Sequence, residues 1–314
     1  MSPDTTVTPR FTLLARPVTA VVAGSYLLLA LLMTQIRLLN TLGYESALTF
    51  SLVAAFLGVL LPMRALRGRE DGLSVRGLLF DWLKVSGSGV LLLALPTAVL
   101  LVNALFVRNC AVFDGTLFWL LLPVPTVLFT SALFLLLRVI FHRRAGAVYA
   151  LLMLLFLLQP FVQIFTRPQL FAYNHVFGMF LGLSWDQSQP PFSTLLLYRL
   201  STLTYILLML TASAALHLRP KRRVMTARQR TALLSVFVPL LVILLYFSVA
   251  SDRLGFSSSY AYLHAELGAV YADGPVRIVY DSTVVSQEDI VHIAREHRFQ
   301  LARWCRGLCR RWRW

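Results

Sequence analysis

The sequence predicts an all-α integral membrane bundle of about seven transmembrane helices, N-terminus in and C-terminus out, followed by a short, incomplete α/β extracytoplasmic segment. Three observations predict it. Hydrophobic residues make up 58% of the 314 and charged residues only 14%, against roughly 25% charged in an average soluble domain. The apolar residues are gathered into long runs, as membrane spans require, and not scattered as in a soluble core. Finally, Lys and Arg concentrate in alternate loops between the runs, as the positive-inside rule demands.

Residues 1–16 form a cytoplasmic N-terminus carrying Arg10 and Arg16. The membrane domain, 17–250, contains seven runs: Pro17–Ile36, Ala47–Met63, Val85–Val107, Leu117–Leu137, Ala145–Ile164, Thr194–Leu216 and Leu233–Ala250. Each approaches the ~20 apolar residues that cross a bilayer core. The first is too long for the h-region of a signal peptide and has no small-x-small cleavage site after it, so it reads as an uncleaved anchor. Orientation follows from the loops. Sixteen Lys and Arg precede span one or follow spans two, four and six, whereas the intervening loops hold only Arg37, Arg108, Arg167 and Arg199. The segment after Ala250 is therefore outside, in a multi-pass protein of the cell inner membrane.

The net charge of +15 would suit a nucleic-acid binder only if it formed a basic face or stripe. It does not, so the expected partner is the lipid bilayer and not nucleic acid. Pro96, Pro123, Pro125 and Pro160 fall inside spans, where each removes a backbone donor and bends or interrupts its helix. Away from their ends the spans show no Asp, Glu, Lys or Arg, and no inverted repeat is visible. Both observations weigh against an ion-coupled transporter. Asn103, Gln159 and Gln163 fit helix-to-helix hydrogen bonds.

The outer loops carry the polar candidates. "NALFVRNCAVFDG" (103–115) and "TRPQLFAYNHVFGMFLGLSWDQSQPPF" (166–192) bring Arg108, Asn109, Asp114, Tyr173, Asn174 and Asp186, with Glu45 and His175, toward the outer face. The second stretch is too aromatic for a solvated linker and predicts an interfacial belt or a re-entrant fold. Nothing here has metal or triad spacing, so no cofactor and no catalytic residue is expected. Cys110, Cys305 and Cys309 all fall outside, and Cys305-x-x-x-Cys309 is not a zinc or redox motif.

Residues 251–303 change to soluble character. A helix is expected over Ser258–Ala272, a turn at Asp273-Gly274-Pro275, a strand from Val276 to Tyr280, and a helix opened by Ser286 and Asp289. Its face carries Ile290, Ile293, Ala294, His297 and Leu301. In "HIAREH" the two His are five residues apart, not the four of a zinc helix. A helix-strand-helix unit cannot close a core alone, so the segment reads as the start of a longer domain. Trp304–Trp314 is almost wholly Arg, Trp and Cys. It reads as an out-of-frame end to a GC-rich gene, the alternative being a basic tail lying on anionic headgroups.

Together with "VRIVYDSTVVSQEDIVHIAREHRFQL" (276–301), the two outer-loop motifs resemble a bacterial family of multi-spanning proteins with an extracytoplasmic peptidase-MA-like, gluzincin-type domain. The resemblance runs from about Pro17 to Ala302. It implies a membrane anchor for a hydrolase-like domain whose zinc helix would carry H-E-x-x-H. That motif does not occur in the chain, so no catalytic residue transfers. A transporter or permease component, and a non-enzymatic membrane interaction protein, stay open as alternatives.

Overall fold

The computed structural model describes residues 17–66, 75–107, 112–168, 171–181, 192–218, 227–274 and 276–311. The chain is mostly helical. Helix α1 spans Pro17–Met33. Next come α2 (Tyr44–Leu57) and α3 (Leu60–Ala65), α4 (Val75–Leu92) and α5 (Ala94–Asn103), and α6 (Val112–Leu121) and α7 (Pro123–Phe141). A single 3₁₀ turn, His142–Arg144, leads into α8 (Ala145–Thr166). Helices α9 (Phe192–Leu218) and α10 (Ala227–Val249) complete the apolar part.

Five stretches among the described residues are long and apolar enough to cross a membrane: Tyr44–Ala65, Val75–Asn103, Val112–Thr166, Phe192–His217 and Gln229–Val249. The third holds 55 residues and is divided by the His142–Arg144 turn, with α7 packed back against α8. Helix α1 is apolar but shorter. Outward faces are apolar throughout, as with Leu28, Leu31 and Leu32 of α1. Such a surface is untenable in water and ordinary in lipid.

Three of the stretches are broken close to a proline, as expected for Pro96 and Pro123. The α6–α7 break falls at Leu122, immediately before Pro123, and the α4–α5 break at Leu93, three residues before Pro96. The α2–α3 break at Gly58–Val59 precedes Pro62, whereas Pro160 stays inside α8.

Helix α7 is the axis of the bundle. It is buried on nearly every side, from Pro123 and Pro125 through Phe129 and Ala132 to Leu137, as a helix surrounded by others must be. It packs on α2, α4, α6, α8 and α9. Polar side chains fasten the neighbours: Trp82 Nε1 donates to Ser131 Oγ at 3.0 Å, and Tyr149 Oη to the Ala55 carbonyl at 2.6 Å. Helix α10 lies at the edge and, among its described side chains, buries only Leu244.

Two short sheets are present, of which the first departs from the all-α expectation for the bundle. Strands β1 (Phe171–Asn174) and β2 (Gly178–Leu181) form an antiparallel hairpin sunk into the bundle, pairing Tyr173 with Met179. Beyond α10, α11 (Tyr260–Leu267) is followed by β3 (Gly268–Asp273) and β4 (Val276–Asp281), again antiparallel, and then α12 (Gln287–Arg311). The expected helix-strand-helix is thus corrected to helix-hairpin-helix. Gly268, at φ +72°, ends α11, because that backbone conformation suits a residue without Cβ. The freed Gly268–Asp273 supplies the partner strand that the sequence reading lacked. The Ser286 cap is present, accepting from the Asp289 amide at 3.2 Å. Ile290 and Ala294 of α12 are buried, whereas Ile293, His297 and Leu301 of the same face are exposed. The α12 backbone stays helical through Arg311. Cys110 and the side chains of 304–314 lie outside the described residues.

Candidate functional site

The site begins with two prolines. A proline has no N–H, so the carbonyl four residues before it loses its helical donor. Pro125 therefore frees the Leu121 carbonyl, and Pro160 frees that of Phe156. In lipid each such group must find another partner. Arg199, on the second turn of α9, takes the first: its Nε donates to Leu121 O at 2.5 Å. Asn174, at the end of β1, takes the second, with Nδ2 on Phe156 O at 2.9 Å.

Both side chains also shape the hairpin. Asn174 Oδ1 accepts from the Val176 and Phe177 amides at 2.8 and 3.1 Å, an Asx-type turn that reverses the chain. Its Nδ2 also reaches Gln159 Oε1 at 2.5 Å. Arg199 Nη1 donates to His175 O at 3.0 Å and Nη2 to Leu122 O at 3.2 Å. Arg199 is 2% exposed, and its guanidinium forks across three carbonyls, a geometry that only its planar set of donors provides. Gly178 lies against it at φ +100°, where a Cβ would overlap the Leu122 side chain and the guanidinium. Thr126 Oγ1 donates to Val176 O, and Tyr44 Oη to Met179 O at 2.7 Å. A lone two-stranded hairpin is marginal. This one is pinned by α2, α7, α8 and α9.

Arg199 is thus a correction to the sequence reading, which counted it among outer-loop charges and found the span interiors uncharged. It lies seven residues into α9 and is buried. Gln159 also differs from expectation: it bonds the hairpin, with Nε2 on Tyr173 O at 3.4 Å, and no bond from it to another helix is seen among the described residues.

Beside the hairpin lies a cavity of about 260 Å³ between α8, α9, α10 and the Ser251–Ser257 segment. Its aromatic side is continuous. Tyr173 and Tyr198 rings lie 4.9 Å apart, Tyr198 and Phe256 5.1 Å, and His175 stacks on Tyr198 at 4.6 Å. His175 Nδ1 is 3.1 Å from Thr202 Oγ1. That hydroxyl donates to Tyr198 O, so the network assigns the proton to Nδ1. Gln163, Ser201, Ser248 and Arg167 add polar groups to the lining. Tyr173 is 3% exposed, and its hydroxyl has no hydrogen-bond partner among the described residues. A phenol so placed offers one donor and one acceptor to whatever enters.

Of the six outer-face candidates, Tyr173 and Asn174 come together here. Asp114 stands exposed on the first turn of α6, away from the cavity. Arg108, Asn109 and Asp186 lie outside the described residues. No group of three metal-ligating side chains occurs among the described residues. No family model, curated protein or solved structure matches this chain.

Proposed function

We propose that this chain is a seven-span membrane protein that anchors a small α/β unit on the outer face of a bacterial inner membrane. The spans are α1, α2–α3, α4–α5, α6–α7, α8, α9 and α10. The observation that carries this reading is the distribution of Lys and Arg. In the structure Lys84 falls inside α4 and Arg199 inside α9, so the loop count becomes fifteen on one side against Arg37, Arg108 and Arg167 on the other. The asymmetry thereby sharpens. It puts the N-terminus in the cytoplasm and everything after α10 outside.

The join between membrane and outer unit is stiff, as anchoring requires. Asp252 accepts from Ser257 Oγ at 2.5 Å and Ser259 Oγ at 2.9 Å, and Ser259 caps α11. The resemblance of residues 276–301 to an extracytoplasmic hydrolase-like domain supports reading the unit as part of one, with no catalytic role assigned to this chain. Alkaline phosphatase fused after Asp252 is expected to be active and after Arg223 inactive; the reverse pattern refutes the orientation. The polar cavity favours a second reading, a permease component. Solute flux in proteoliposomes that disappears on Ser201→Val would support it.

A further inference from the structure

At the end of the bundle away from the hairpin, a groove of about 550 Å³ opens between α1, α3, α7 and the His142–Arg144 turn. Val21, Met63 and Phe134 line its apolar side; Arg64, Arg138 and Arg143 line its polar side. Among the described residues, no Asp or Glu lines it. Arg138 and Arg143 come from the end of α7 and the turn after it, and Arg64 from α3, so the fold brings two distant stretches of the chain together. His142 has φ +45°, the one non-glycine positive φ among the described residues. Backbone held in that region is costly and persists where the surroundings impose it. Here Arg138 Nη1 donates to the His142 carbonyl, tying the turn so that Arg143 joins the groove.

The apolar side continues out of the groove. Val21, Leu28 and Leu32 of α1 are 60%, 60% and 55% exposed, and their spacing of seven and four residues sets them in one stripe along the helix. A phosphate alone would leave that track and most of the volume empty. A two-chain lipid with an anionic head matches both halves: its phosphate among the guanidiniums, its acyl chain along the stripe.

We infer that this groove is a binding site for an anionic phospholipid of the adjoining leaflet. Lys and Arg near a membrane surface each attract anionic lipid by about 1 kcal/mol. The double variant Arg64→Gln/Arg143→Gln therefore loses on the order of 30-fold in affinity. Native mass spectrometry of the detergent-purified full chain, titrated with phosphatidylglycerol or phosphatidylethanolamine of matched acyl chains, reads this directly. The expected result is phosphatidylglycerol bound on the order of tenfold tighter, with the loss seen for Arg64→Gln/Arg143→Gln and absent for Arg230→Gln, a charge outside the groove. Val21→Trp, which leaves the arginines in place and obstructs the track, also weakens retention. Equal binding of the two lipids refutes the site, as does equal loss on Arg230→Gln. Displacement of the lipid by millimolar inorganic phosphate likewise overturns it, because the acyl track would then contribute nothing.

Discussion

Replacing Arg199 by Met keeps an unbranched apolar stem and removes every donor. Three carbonyls then lose a partner. Leu122 O still accepts from the Thr126 amide, so the loss concentrates on Leu121 O and His175 O. A buried acceptor left without a donor costs about 1–3 kcal/mol. Two of them place Arg199→Met at about 4 kcal/mol, less whatever is regained by no longer burying a charge. The decisive test is a rescue. Pro125→Ala restores the amide that Leu121 O would bond in an unbroken helix, so in the Arg199→Met background it is expected to return about 1–2 kcal/mol. In the parent the same substitution returns nothing, since Arg199 already occupies that carbonyl. Unfolding by SDS in mixed micelles, followed by circular dichroism, measures all four proteins of the cycle. If Arg199→Met unfolds with the parent, or Pro125→Ala rescues nothing, the proline-compensation account is wrong.

Two further outcomes are expected. Tyr173→Phe removes a buried hydroxyl that has no partner among the described residues, so stability stays within about 0.5 kcal/mol of the parent or rises; a loss above about 1 kcal/mol in the same assay shows that the hydroxyl is bonded. Outside the membrane, the Thr283 hydroxyl and amide, at 2.6 and 2.8 Å, hold the Asp281 carboxyl below the usual carboxylate range. A lowered carboxylate pKa stabilises the fold above the ordinary value, and the benefit is lost as pH falls through the native one. The protection of the Thr283 amide from hydrogen exchange, relative to an unstructured amide at the same pH, should therefore fall only on acidification past the ordinary carboxylate range, and Asp281→Asn should abolish that dependence.

The apolar stretches were legible because lipid imposes length and composition on any span, and the Ser286 cap because its spacing is local. That Phe171–Leu181 is no solvated linker was legible from its excess of aromatic residues, which left an interfacial belt and a re-entrant fold both open. What the hairpin bonds to was not, because its partners are distant in sequence. Arg199 was misread because, only five residues into an apolar run, it looked like the end of a loop. A signal for it did exist: Pro125 and Pro160 each demand a replacement donor, and few side chains in the spans have N–H groups to offer. Strand β3 was missed because Ala269 to Ala272 suits a helix as well as a strand, and the helical reading ran on through Gly268. An Asp-Gly turn between two short runs containing Val and Tyr was the stronger hairpin signal.

The proline breaks also set an order of biogenesis. Leu121 leaves the ribosome 78 residues before Arg199, and the hairpin lies between them. Helices α6 and α7 must therefore enter the membrane with a carbonyl open, and the reversal at Asn174–Gly178 must wait beside them. Only the arrival of α9 closes both. Until then the half-made bundle has a polar gap that water or the insertion machinery must occupy. A chain stopped before α9 would thus expose a defect by which quality control can distinguish unfinished protein from finished.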